Sequence, residues 1–177
     1  MMFPTLETER LILREITNAD VNGIYSCFSN EEVTKFYGQN SIHTVEEAKQ
    51  FIEFFAKSYQ EQRGIRWGIE CRDTKEFLGT IGFNALSRKH KRAELGYELH
   101  PSHWRKGYAK EAIRAVLTYG TKDLGLTRIG AVVFLDNIAS NNLLEGLGFI
   151  KEGVLKKYMY QNGVANDTNV YGFIPPE

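Results

Sequence analysis

The eight residues from Trp104 to Glu111 read Trp-Arg-Lys-Gly-Tyr-Ala-Lys-Glu. Two cations, Arg105 and Lys106, precede Gly107, and an amphipathic helix follows. The first N–H groups of a helix lack intrahelical partners, and the dipole makes that end partly positive. Small residues there let a ligand approach the backbone, which makes an anion site suited to phosphate or pyrophosphate. The alternative is an ordinary strand-to-helix turn. The common phosphate motifs do not fit. No G-x-x-x-x-G-K-[ST] run occurs, and Gly146-Leu147-Gly148 has Lys151 where a dinucleotide fingerprint needs its third glycine.

The elements that must hold this loop are legible on both sides. Ala93–Leu99 alternates apolar residues before the break at His100-Pro101. After Gly107, Ala109, Ala112, Ile113, Val116, Leu117 and Gly120 form the stripe of a helix buried on one face. Gly125 is placed to end that helix in a left-handed conformation. Upstream, Arg10–Ile16 alternates as a first strand, and Asn18-Ala19-Asp20 opens a helix over Val21–Phe28. A second helix spans Val45 to Gln60, with Thr44 and Glu47 as a capping box. Trp67–Cys71 and Phe77–Phe83 form a hairpin, and Lys91–Leu99 is the fourth strand. Ile129–Leu135 reads as a buried parallel strand, Ile138–Leu147 as a helix closed by Gly148. Phe149–Tyr160 and Asp167–Ile174 pair around Gln161-Asn162-Gly163.

Pro101 through Ala112 resembles the acetyl-CoA pyrophosphate loop of the GNAT superfamily of N-acetyltransferases. The block from Asn137 through Ser140 and Leu144 to Gly148-Phe149 is similar to the segment after that superfamily's fifth strand. Ala93 to Tyr97 and Glu9 to Arg14 resemble the ribosomal-protein-alanine N-acetyltransferase, or Rim-type, branch. The four blocks stand in order over nearly the whole chain. Two positions depart from the wider pattern, as they do in that branch. Trp104 stands where many members have Gln or Arg, and Leu144 stands where many have a tyrosine that protonates the leaving thiolate.

The resemblance implies a mixed α/β fold over residues 1–177 as one domain. Its sheet would be mostly antiparallel and twisted, with about seven strands, a parallel pair at the cofactor cleft and about four flanking helices. It implies acetyl-CoA as co-substrate and no metal. Tyr97, Glu98 and Leu99 on the strand, Arg105, Lys106, Gly107, Tyr108, Ala109 and Lys110 at the loop, and Asn137 would hold acetyl-CoA.

The reaction needs an amine to lose a proton and a thiolate to gain one. Glu94 is the candidate base, directly or through water, and the other reading is a solvated carboxylate. Gly96 and Glu98 should share its face, with Glu98 second in line. Ser140 is the candidate proton donor, or else a helix-start hydroxyl. Asn137 serves pantetheine amides or holds its own turn. His100 and His103 read as loop residues. Arg88-Lys89-His90-Lys91-Arg92 could meet RNA or an acidic acceptor, but its place between strands favours a solvated hairpin. Phe51, Phe54 and Phe55 read as core before groove.

With 177 residues, 42% of them hydrophobic, the chain can build a sizeable core. Zero formal net charge gives no ground for nucleic-acid or membrane binding. No run approaches the ~20 apolar residues of a membrane helix. The N-terminus lacks the build of a signal peptide. Cys27 and Cys71 read as reduced thiols, which suits a cytoplasmic monomer or homodimer. Three functions remain: acetylation of a protein α-amine, acetylation of a small amine, polyamine or antibiotic, and a non-catalytic acyl-CoA-binding module.

Overall fold

The computed structural model describes residues 2–177. Eight strands form one sheet: β1 (Leu6–Glu7), β2 (Leu11–Glu15), β3 (Ile65–Cys71), β4 (Phe77–Ser87), β5 (Arg92–Leu99), β6 (Arg128–Phe134), β7 (Ile150–Gln161) and β8 (Val164–Phe173). Their spatial order is β1-β2-β3-β4-β5-β6-β8-β7. Five helices flank it: α1 (Val21–Phe28), α2 (Glu31–Thr34), α3 (Val45–Gln60), α4 (Tyr108–Thr118) and α5 (Ile138–Gly146). The strand and the helix beyond the expected count are β1, only two residues long, and α2, a single turn.

Every neighbouring pair is antiparallel except β5 and β6. That parallel pair has three rungs, Arg92 with Arg128, Ala93 with Ile129 and Glu94 with Gly130. Beyond Glu94 the strands separate: β5 stays bonded to β4 through Leu99, and β6 stays bonded to β8 through Phe134. The sheet therefore contains an opening in its interior.

The two faces of the sheet differ in chemistry because side chains alternate. Leu11, Leu13, Trp67, Ile69, Ile81, Phe83, Ala93 and Leu95 belong to one core with Ala112, Ile113, Val116 and Leu117 of α4. Burying each large aliphatic of that stripe contributes about 1.5–3 kcal/mol. Trp67 meets Tyr119 edge-on, with ring centroids 5.4 Å apart. Tyr119 begins a single π turn through Asp123 that extends α4, and Gly125 then closes the element at φ 66°.

Ile24, Cys27 and Phe28 of α1 and Ala48 and Ile52 of α3 form a second core. Phe55 of α3 lies against the Arg66 guanidinium, 5.5 Å from its ring centroid. Helix α3 opens as expected at Thr44, whose hydroxyl accepts the Glu47 N–H at 3.2 Å. The Glu47 carboxylate reaches one residue further back than a capping box requires, to the His43 N–H. A true capping box occurs at Thr17 and Asp20 instead, ahead of α1. Phe51 packs beside the second core, but Phe54 is 57% exposed, so the expectation of a buried phenylalanine trio fails there. The basic run 88–92 is exposed, its first four residues forming the turn between β4 and β5.

Candidate active site

A cleft of about 750 Å³ fills the opening between β5 and β6. Its wall is β5 from Glu94 to Leu99, which has no strand partner on that side beyond Glu94. Its opposite wall is Ala131 to Val133 of β6 together with the first turn of α5. Tyr108 and Ala109, the first residues of α4, stand at one end.

The loop before α4 forms that end. Arg105 has φ 62° and Gly107 φ 81°. The N-cap position is Gly107, and no side chain caps the helix. The leading N–H groups of α4 are therefore left for a ligand or solvent. Arg105, Lys106 and Lys110 are exposed around them. Trp104, in the departing position, donates its indole N–H to the Leu99 carbonyl at 2.8 Å, which ties the loop to the end of β5. His103 is buried at the same turn. Burial pushes its pKa down, with Glu76 3.4 Å away pulling the other way.

The same loop is braced by a residue that sequence reasoning did not place in the site. Arg10 donates to the Lys106 carbonyl at 2.8 Å and to Glu111 Oε1 at 2.8 Å, and its guanidinium lies 4.5 Å from the Tyr108 ring centroid. Glu111 also accepts from the Arg10 N–H and from the Thr8 hydroxyl. Burial pushes the Glu111 carboxyl up, but hydrogen bonds from Thr8 and Arg10 outweigh it and hold it below the usual range. The N-terminal segment thus anchors both the loop and the first turn of α4.

Helix α5 is fixed by a buried amide. Asn141 Nδ2 donates to the Phe134 and Asn137 carbonyls at 3.1 and 2.8 Å. Its Oδ1 accepts from Asn169 at 2.9 Å and Tyr171 at 2.7 Å. This lock sets Ser140 facing the cleft. Ser140 Oγ lies 2.5 Å from Tyr97 Oη, across the opening. Asn137 is the N-cap of α5, its side-chain oxygen accepting the Ser140 N–H at 3.3 Å. Its turn-holding role is therefore real. Leu144, where a tyrosine is common, is fully buried.

On the strand, Glu94 is exposed and lines the cleft. Glu98 shares its face but is only 5% exposed. It accepts from Arg66 Nη1 at 3.1 Å and from the Thr80 hydroxyl. Burial pushes its carboxyl up against the pull of Arg66 and Thr80. That carboxylate already holds a guanidinium, so Glu98 is not a free base at the cleft wall. Arg66, 6% exposed, further donates to the Gly96 carbonyl and Asn84 Oδ1, both at 3.2 Å. A Cβ at Gly96 would sit 3.0 Å from Asn84 Nδ2 and 3.1 Å from Arg66 Nη2, so glycine there makes room for the cluster.

The far rim is the segment from Phe36 to Gln39, also along the cleft. Gln161, at the end of β7, accepts the Gly38 N–H at 2.8 Å and donates to the Gln39 carbonyl at 2.9 Å and to the Thr34 carbonyl. Among the described residues no cluster of three or more His, Cys, Asp or Glu side chains is placed to hold a metal. None of their helices is long and apolar enough to cross a membrane.

Residues 10–150 match the model of the acetyltransferase (GNAT) domain. The chain is 61% identical over 175 residues to an uncharacterized N-acetyltransferase, YoaA, of Bacillus subtilis, covering 99% of each. It is 34% identical over 113 residues to the ribosomal-protein-serine acetyltransferase of Escherichia coli, covering 64% of this chain and 63% of that one. Among solved structures, a ribosomal L7/L12 α-N-protein acetyltransferase, RimL, in complex with coenzyme A superposes with a TM-score of 0.86. It covers 97% of this chain and 98% of that chain at 23% identity, a likeness of fold.

Proposed function

This chain belongs to the GNAT family of N-acetyltransferases, and from that premise we propose that it transfers the acetyl group of acetyl-CoA to the N-terminal α-amine of a protein. The observation that carries the proposal is the opening after three rungs of β5–β6 pairing, which leads to the uncapped start of α4. The open edge of β5 from Leu95 to Leu99 is the place for the amides of the pantetheine arm. The loop from Arg105 to Lys110 is the place for the pyrophosphate. Asn137 offers its amide NH2 group from the facing side, since its oxygen caps α5.

In this reading Glu94 takes the proton that the attacking amine must lose, directly or through water, and Ser140 faces the leaving sulfur. An α-amine suits the modest base on the strand. Its pKa is about 7.7–8.0 against about 10.4 for lysine. Exposing the free base at pH 7 therefore costs roughly 1–1.4 kcal/mol for the α-amine and roughly 4.6 kcal/mol for lysine. Relatives named for ribosomal-protein acetylation lend support to a protein acceptor. The deciding experiment measures thiol released from acetyl-CoA with peptides bearing free or blocked N-termini, with lysine side-chain amines and with spermidine. Free N-termini should be preferred. Turnover of spermidine alone would replace the protein acceptor with a small one, and no thiol release with any amine would leave only binding.

Two expectations follow from the assignments. Glu94→Gln should lower turnover about tenfold to hundredfold near pH 7, the low end for loss of a general base. Acetyl-CoA affinity should hardly change, because the base acts in the transition state. The defect should shrink toward pH 9 as the amine becomes free base unaided. A mutant with wild-type turnover at pH 7 would remove Glu94 from the role. The second concerns Arg105 and Lys106, whose exposed charges are screened by salt. Their double alanine variant should bind acetyl-CoA more weakly at low salt and lose affinity less steeply as salt rises. An unchanged salt slope would assign phosphate binding to the backbone alone.

A further inference from the structure

The contact between Tyr97 and Ser140 joins two elements that the sheet leaves unjoined. Tyr97 is on β5 beyond the last rung with β6, and Ser140 is in the first turn of α5 beyond the end of β6. Both line the cleft, and their hydroxyl oxygens are 2.5 Å apart. The backbone N–H of Ser140 donates to Asn137 Oδ1, and Asn141 locks the same turn, so the first turn of α5 is fixed beside Tyr97. Nearby Leu144, buried and apolar, offers no proton.

We propose that Tyr97 is the source of the proton that Ser140 passes to the departing thiolate. The inference rests on the reading of the cleft as an acetyl-CoA site. A serine hydroxyl alone is a weaker acid than a phenol, whose ordinary pKa is about 10. In the relay the carbon–sulfur bond breaks and its electron pair stays on sulfur. The Ser140 O–H protonates the sulfur while the Tyr97 O–H protonates Ser140 Oγ, so a thiol forms and a phenolate remains. Solvent returns a proton to the phenolate, matching the one released by the attacking amine. Tyr97 does not touch the substrate in this scheme and acts behind Ser140. The groups bearing on its phenol are Ser140 from α5 and Glu98 from its own strand. Burial pushes it up to about 12, with the Ser140 bond pulling down and Glu98 pushing further up. The phenol therefore keeps its proton at neutral pH.

The first arm of the test needs no acceptor. Coenzyme A bound to the full chain is titrated through the ultraviolet absorbance of its thiolate, for wild type, Tyr97→Phe, Ser140→Ala and the double variant. A donor to the thiolate lowers its pKa, so the bound thiol should titrate roughly one unit below the free one in wild type. Ser140→Ala should abolish that shift, Tyr97→Phe should remove about half or more of it, and Ser140→Thr should retain it. In turnover the two losses, each about tenfold or more, should not multiply in the double variant. Thermal unfolding identifies any variant that does not fold, and the Ser140 variants read the same contact from the other side. A bound thiol that titrates identically in wild type and Ser140→Ala overturns the relay, as does a Tyr97→Phe that matches wild type or losses that multiply. Failure of coenzyme A to bind wild type overturns the reading of the cleft itself, whereas binding with an unshifted thiol overturns the relay alone.

Discussion

Replacing Gly107 with valine is expected to weaken acetyl-CoA binding between about tenfold and several hundredfold while the fold survives. Gly107 holds φ at 81°, a region that costs a non-glycine residue about 1–3 kcal/mol and a β-branched one most. Relieving that strain would turn the loop N–H groups from where the proposed reading puts the pyrophosphate. A Cβ there would also lie 3.2 Å from Arg10 Nη2, disturbing the residue that holds the Lys106 carbonyl. The position is exposed and lies outside both cores, so little of the folding free energy depends on it. Calorimetry of acetyl-CoA binding, with thermal unfolding as the control, is the measurement. An unchanged affinity in a folded variant would separate the loop from the ligand.

Glu98→Ala is expected to lower the free energy of unfolding by about 3–5 kcal/mol, the usual cost of stranding one charge of a buried pair. Arg66 would keep Gly96, Asn84, Thr80 and the Phe55 ring but lose its only counter-charge in the cluster. Urea unfolding midpoints of Glu98→Ala and of a double variant with Arg66→Met and Glu98→Met make the comparison. The double variant should be markedly more stable than Glu98→Ala, since two apolar side chains leave no charge stranded. The native pair also leaves Arg66 Nε and Glu98 Oε2 buried without partners. A midpoint for Glu98→Ala equal to wild type would show that the charge reaches water after all.

The main helices and the glycine-containing loop before α4 were legible because periodicity and turn chemistry are local. The stripe from Ala112 to Leu117, the cap at Thr44 and the left-handed Gly125 each declare themselves within a few residues. The mixed sheet with its parallel pair came from the family resemblance, which the topology bears out. Arg66 was not legible. An expected strand starting at Trp67 left it outside, and a charge just before an apolar strand reads as solvated until Glu98, 32 residues on, supplies a reason to bury it. Tyr97 and Ser140, 43 residues apart, were each noticed but not as partners, since their distance is set by how α5 is locked onto β8. Arg10 was visible as a strand residue and a marker of likeness but not as a brace, because that role depends on β2 lying beside the start of α4. The strand β1 and helix α2 are too short for any periodicity.

The early parting of β5 and β6 has a further consequence, for association between chains. Unpaired strand edges invite other chains to add a strand, and sheets commonly guard them with charges, prolines or short lengths. Here the bare edge is recessed inside the sheet, with β4 on one side and β8 beyond β6 on the other. A polypeptide strand arriving from outside would have to enter end-on, with side chains above and below the sheet plane. A slender, unbranched chain with a few amide groups meets no such obstacle. The fold thus keeps these hydrogen-bonding groups unpaired within the sheet, away from its outer edges.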